Sequence, residues 1–226
     1  MASDDEMRAV GPRPESSEAE RQLQGRYGTQ ARAAAFYEHQ VLPHLNEAMM
    51  RFVEQMDLMF VATADAAGRT DSSVRAGPRG FIQVLSPHRL AYPEYRGNGV
   101  MASLANLTDN PHIGLLLIDF AESTVGLHVN GRAEIREPSD VPAGIAADAR
   151  AEHWVLVSVH EAYIHCSKHL PQMTRSGKRI AWGTDDPGKK GGDFFGVSAG
   201  RRLSAGVAAR AAAGSPVDPV GPPHDG

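Results

Sequence analysis

The sequence predicts a mainly β protein with flanking helices, organised as a small antiparallel barrel, and three observations carry that reading. First, residues 125–136 place Leu127, Val129, Gly131, Ala133 and Ile135 on one side of an alternating segment, and 154–164 (WVLVSVHEAYI) alternates in the same way. That two-residue period marks a strand with one buried face. Second, 58–64 (LMFVATA) and 70–75 flank the turn Asp65-Ala66-Ala67-Gly68, while 81–85 and 89–92 flank Ser86-Pro87-His88, which gives two hairpins. Third, 112–120 is an apolar run rich in Ile and Leu, short enough for a buried strand. Five or six antiparallel strands around one inserted helix suit a small closed barrel, because full pairing leaves no exposed edge.

The remaining elements follow in chain order. Residues 1–30 are rich in Pro, Ser and charge and poor in large apolar side chains, so they are expected as a flexible arm. Helix is expected over 32–55 in two pieces. Phe36, Tyr37 and Val41 fall near helical spacing before Pro43, and Leu45, Met49, Phe52, Val53 and Met56 then recur at three- and four-residue intervals. The methionines read first as core filling, with a soft ligand-binding wall as the functional alternative. The Pro- and Ala-rich segment 137–152 is expected as a helical excursion before the last strand. Residues 187–226 read as a flexible Gly/Ala/Pro-rich tail, with a short Ala-rich helix near 205–213 as the alternative. The foldable domain is therefore expected over 31–186.

Composition narrows the class. The chain has 226 residues, 42% apolar and 22% charged, enough to bury a core. A formal charge of −4 gives no electrostatic reason for nucleic acid or an anionic membrane as partner. No apolar run approaches the ~20 residues that span a bilayer. The start, MASDDEMRAVGPRPESSEAE, lacks the apolar centre of a secretion signal. One cysteine, Cys166, excludes an intrachain disulfide and fits a reducing compartment. A cytoplasmic location is expected.

The stretch 90–120 reads as strand, turn, short helix, turn, strand. Its turn, Arg96-Gly97-Asn98-Gly99, sets two glycines around an Asn. Glycines there permit positive φ and close approach of a ligand. Residues 100–108 hold good helix formers, with Asn98 as a candidate cap, and Asn110-Pro111 stops the helix. A helix start gathers free N–H groups and positive dipole, suited to a phosphate, with Arg96 and the Ser103 hydroxyl as further donors. The alternative is a well-capped helix between two strands.

Taken together, ATADAAGRTDSSVRAGPRGFIQVL (62–85), LAYPEYRGNGVMASLANLTDNPHIGLLLIDF (90–120) and GLHVNGRAEI (126–135) resemble the pyridoxamine 5′-phosphate oxidase-like, FMN-binding split-barrel family over about 36–184. The resemblance implies a six-stranded antiparallel Greek-key split β-barrel, a homodimer, and FMN held at the subunit interface. It places Ser73, Val74 and Arg75 along the isoalloxazine and ribityl chain, Tyr92-Pro93 beside the ring, and Arg96, Asn98 and Ser103 at the phosphate. His128, Arg132 and Trp182 would reach the flavin from the second chain. The vitamin B6 enzymes proper carry an Arg-Lys pair where this chain has Ala102-Ser103, and end on an Arg-x-His motif that this tail lacks. The resemblance therefore extends to the family and not to that enzyme.

A second constellation is Tyr163-Ile164-His165-Cys166-Ser167-Lys168-His169, which the resemblance sets near the ring. Lys168 could stabilise an anionic reduced flavin and His165 could relay a proton, the two catalytic candidates. Cys166 could instead join His160, His165 and His169 on a metal, or be a small buried thiol. No Ser-His-Asp, P-loop or paired-carboxylate signature is visible. The expected activity is an FMN-dependent oxidoreductase acting on a small molecule or NAD(P)H. A flavin-binding or redox-sensing module without turnover, and a related barrel holding haem or a deazaflavin, are the alternatives.

Overall fold

In the computed structural model, which describes residues 16–177, 179–189, 192 and 195, helix α1 (Glu18–Tyr27) starts on Ser17. The Ser17 hydroxyl accepts from Glu20 N while the Glu20 carboxylate reaches back to Ser17 N, a capping box. This helix lies within the segment expected as a flexible arm. Gly28, in the left-handed conformation, closes it, and helix α2 (Gln30–Gln40) follows. Strand β1 (Val41–Leu42) comes next, and then helix α3 (Glu47–Gln55), capped by Asn46 Oδ1 accepting from Met49 N. Val53 of α3 is buried, and Met49, Met50 and Phe52 pack on the core. The methionines therefore fill core gaps.

The strands are β2 (Leu58–Ala64), β3 (Thr70–Ala76), β4 (Gln83–Ser86), β5 (Arg89–Tyr95), β6 (His112–Ile118), β7 (Gly126–Arg136) and β8 (Ala151–His165). Both expected hairpins form, β2 with β3 and β4 with β5. In the first turn Asp65 Oδ1 accepts from the Ala67 and Arg69 amides, and Gly68 takes φ +79°. Helix α4 (Ala102–Asp109) is the inserted helix.

Every pairing is antiparallel, in the order β3-β2-β6-β7-β8-β5-β4, with β1 on β8 beyond β5. The sheet has eight strands rather than six, and among the described residues its ladder does not close. Side chains span the opening, where Arg75 of β3 meets Glu94 of β5.

The 137–152 segment is not the expected helix. It holds the 3-10 turn Pro138–Asp140 among irregular turns, and its last two residues already belong to β8. Pro138 and Pro142 lack amide donors, and Gly144 sits at φ +102°, so a helical ladder cannot propagate. Instead the segment lays Val141 and Ile145 over Ala91, Trp154 and Leu156, so β8 is covered on both faces there. The main core lies on the other face, with Met59, Val61, Leu90, Leu117, Val129, Val155 and Val157 fully buried.

The chain divides into two compact units, Met1–Thr184 and Asp185–Gly226. In the second, the described residues form the 3-10 turn Pro187–Lys189. Most of the expected tail, including 205–213, lies outside the described residues.

One glycine governs the longest ladder. Between Asn130 and Gly131 the β7–β8 register shifts: Asn130 faces Glu161 but Gly131 faces Val159, so His160 is an extra residue on β8. A Cβ on Gly131 would lie 2.0 Å from Ser158 O, which leaves room for glycine alone. Gly131→Ala is expected to destabilise the fold by about 3 kcal/mol, at the upper end of overpacking costs. Thermal unfolding followed by circular dichroism reads this as a lowered midpoint, and an unchanged midpoint would refute the constraint.

Candidate functional site

The residues expected at a site collect into two groups, on opposite faces of the sheet. The first is built on β3. Its two-residue period sends Asp71, Ser73 and Arg75 to the face on which Ser73 registers with the buried Val61. Helix α4 packs over this face and buries Ser103 there. Ser103 Oγ donates to Asp71 Oδ2 at 2.7 Å and lies 3.1 Å from Ser73 Oγ. Arg75 Nη1 donates to Ser73 Oγ at 2.9 Å, and its Nε to both Glu94 oxygens at 2.7 and 2.8 Å. These two charged side chains are only 18% and 10% exposed, so water screens them little. Burial pushes the Glu94 carboxyl above its usual range, while Arg75 pulls the other way.

The start of α4 departs from expectation. The helix opens at Ala102 behind Met101, which holds the left-handed conformation at φ +56°, and no side chain caps it. Asn98 caps its own turn instead, its Oδ1 accepting from Val100 N at 3.0 Å. The helical ladder begins with Ala105 N donating to Met101 O, so the amides of Ala102, Ser103 and Leu104 precede it. A non-glycine residue at positive φ stores strain, of the kind concentrated at ligand clamps.

Around this network, Tyr92 shares the inner face of β5 with Glu94 and is fully buried. Its hydroxyl has no hydrogen-bond partner among the described residues, and burial, then Glu94, drives its pKa up. Pro93 points to the opposite face, in register with Trp154. Val74 also faces outward and is 51% exposed. Arg96 stands at the surface, 4.0 Å from Glu152.

The second group lies on the outer face of β7 and β8. His128 registers with Tyr163, and their rings stack at 4.6 Å and 16°. His128 Nε2 lies 2.9 Å from His165 Nδ1, a hydrogen bond between imidazoles. Phe36 of α2 packs edge-on against Tyr163 at 5.7 Å. Asn130 Nδ2 donates to Glu161 Oε1 at 2.7 Å one register step away. Burial, then His165, lowers the His128 pKa, against a smaller opposing pull from Glu161. Arg132 is further along β7, in register with His112 and Ser158.

Lys168 is exposed in the 3-10 turn Ser167–His169, where its amide donates to Cys166 Sγ. Cys166 is exposed, not buried, and among the described residues no group of three or more His, Cys, Asp or Glu could hold a metal. Trp182 sits in a turn closed by Thr184 N donating to Ala181 O, and the adjoining Gly183 lies against Arg150.

Asp71 and Glu94 complete the inner network and were not singled out from sequence. Their signal was present: 71, 73 and 75 share one strand face, and Glu94 stands two residues after Tyr92.

The sequence profile of the pyridoxamine 5′-phosphate oxidase family matches residues 45–182, more than half of the chain. The chain belongs to the pyridoxamine 5′-phosphate oxidase family. Its mainly antiparallel sheet is that of the family's split barrels. No curated protein sequence matches significantly. Among solved structures, a putative pyridoxamine 5′-phosphate oxidase from Lactobacillus delbrueckii is similar, with 23% identity over 54% of this chain and 95% of its own, at a TM-score of 0.42. HupZ of Group A Streptococcus is 20% identical over 53% of this chain and 93% of its own, at 0.39. Rv2991 of Mycobacterium tuberculosis is 17% identical over 62% and 96%, at 0.40. Among the described residues no helix is long and apolar enough to cross a membrane.

Removing Arg75 leaves Glu94 buried without its cation. Arg75→Met is expected to cost about 3 kcal/mol near pH 8, the lower range for breaking a buried pair. Glu94 already holds its proton more tightly in the folded chain than in the unfolded one, and without Arg75 it does so more strongly. The folded variant then binds more protons than the unfolded, so its stability falls as pH rises above the ordinary carboxyl range. Urea denaturation between pH 5 and 8 should show a deficit that grows with pH. A deficit that shrinks with pH would contradict the assignment.

Proposed function

We propose that the chain binds FMN between two copies of itself and acts as an oxidoreductase, passing hydride between the flavin and a small molecule or NAD(P)H. The observation that carries this reading is the start of α4. Three amides precede the helical ladder on the same helix whose Ser103 meets Ser73, and Ser73 in turn holds the Arg75 guanidinium. The amides and the guanidinium are the donors for a phosphate monoester; the two hydroxyl protons are spent on Asp71 and within the Ser73–Ser103 pair, so these serines fix the geometry rather than donate to the anion. Arg75 Nη2 makes no hydrogen bond among the described residues, whereas its Nε and Nη1 are spent on Glu94 and Ser73. Glu94 thus holds the guanidinium in one orientation and leaves an edge for an anion. Asp71 accepts the Ser103 hydroxyl proton and keeps that side chain in place.

The other residues take parts that follow from their faces. Val74 offers an apolar outer surface to a flat ring, while Tyr92 and Pro93 hold β5 in register with Val155 and Trp154 of β8. Arg96 and Asn98 shape the turn before α4. His128, Arg132 and His165 lie on the face opposite the phosphate donors, so a ligand that touches both groups draws on two chains. This supports a homodimer, with Trp182 and Lys168 also acting from the second copy. The flavin, once bound, supplies two-electron redox chemistry, and the chain supplies orientation, charge and proton handling.

The absorption spectrum of the purified protein tests the reading, with mass identification of what heating releases. Flavin bands with equimolar FMN are expected, and NAD(P)H oxidation faster than free FMN would separate an enzyme from a binding module. A Soret band, or a colourless protein that takes up no FMN, would overturn it. Arg75→Lys keeps the charge beside Glu94 but loses the planar fork. It should raise the FMN Kd about tenfold, or about 1.4 kcal/mol, and unchanged affinity would remove Arg75 from the phosphate set.

A further inference from the structure

We propose that His128 and His165 form a proton-sharing dyad on the β7–β8 face, which takes up the proton a substrate releases when it gives hydride to the flavin. The role rests on the flavin reading; the dyad itself rests on geometry alone. His128 Nε2 and His165 Nδ1 are 2.9 Å apart, so one nitrogen donates and the other accepts. A second proton would set two N–H groups against each other and break the bond. The pair therefore holds one added proton readily and refuses the next, which makes its titration a property of both rings together.

The rings are held in position. Tyr163 stacks on His128 at 4.6 Å, and Phe36 backs Tyr163 at 5.7 Å. The His165 ring is tilted 45° from His128 at 5.1 Å. The charged group acting on His128 from its own face is Glu161, which is itself bonded to Asn130, while β6 presents Leu116 in register. His128 Nδ1 and His165 Nε2 make no hydrogen bond among the described residues. A proton arriving at His165 Nε2 releases the shared one to His128 and frees another from His128 Nδ1, or the reverse. The dyad thus moves charge across two strands without either ring turning.

In the step assigned to it, a substrate with hydrogen on carbon and on an adjoining oxygen or nitrogen loses hydride to the oxidised flavin and its polar proton to the dyad. The carbon–heteroatom single bond becomes double. The flavin is the oxidant, gaining two electrons and one proton as hydride, and the dyad gains one positive charge.

Histidine side-chain NMR of the full-length, 15N-labelled protein tests the dyad from pH 5 to 8.5, first without flavin and then with added FMN, oxidised and photoreduced. The expected result is two coupled steps, with the second ring protonating more than ~1 pH unit below the first. In His165→Gln, His128 should titrate in a single uncoupled step, still held below the ordinary imidazole range by its burial. Independent titration of both rings, unmoved when the other is replaced, would overturn the dyad. With FMN bound, the first step should shift on photoreduction, and an unmoved step would overturn the proton-transfer role. Failure to take up FMN, read from the absorption spectrum, sinks the flavin reading and the assigned role with it. The apo titration still decides whether the dyad exists.

Discussion

The β7–β8 pairing is the constraint on which the rest of the structure depends. β8 pairs with three strands, β7 along one edge and β5 and β1 along the other. Its first half turns Val155, Val157 and Val159 into the core. The bulge at His160 then shifts the phase, and Ala162 becomes the inward residue. Glu161, Tyr163 and His165 are thereby moved to the outer face, beside His128 and Asn130. Gly131 makes this possible, because its missing Cβ is what lets Ser158 O approach. One extra residue places the aromatic and imidazole groups where a ligand or a second chain can meet them.

The opening of the sheet sets the second condition. Where β3 meets no strand on its outer side, α4 and the Arg75–Glu94 pair take over the work of a ladder. Side chains there must satisfy one another, and the chain Asp71–Ser103–Ser73–Arg75–Glu94 does so continuously. Polar groups at a barrel end are costly to bury unless fully bonded. That cost is why the network is fixed in geometry.

Much of the fold was legible because it rests on local chemistry. Alternation marked β7 and the first half of β8, turn residues marked both hairpins, and Asn110-Pro111 marked the end of α4. The Pro- and Ala-rich excursion was misread as a helix, since composition favoured one while Pro138, Pro142 and Gly144 forbade its ladder. At the candidate site, Ser73, Arg75 and Ser103 were named individually, but the carboxylates that orient them were not. Asp71 and Glu94 are remote in sequence from the groups they hold, Ser103 and Arg75.

By itself the sequence determined which segments form β2 to β8, that they are antiparallel, and which residue types could meet a phosphate, while Val41, placed at helical spacing, proved to start strand β1. These follow from periodicity and turn geometry, which act over a few residues. The tertiary structure alone decided the face of the Tyr163–His165 segment. A strict period of two carried on from Val155, Val157 and Val159 would have turned Glu161, Tyr163 and His165 into the core. Their outward position comes from a bulge opposite Gly131, a close approach between strands that no local pattern records.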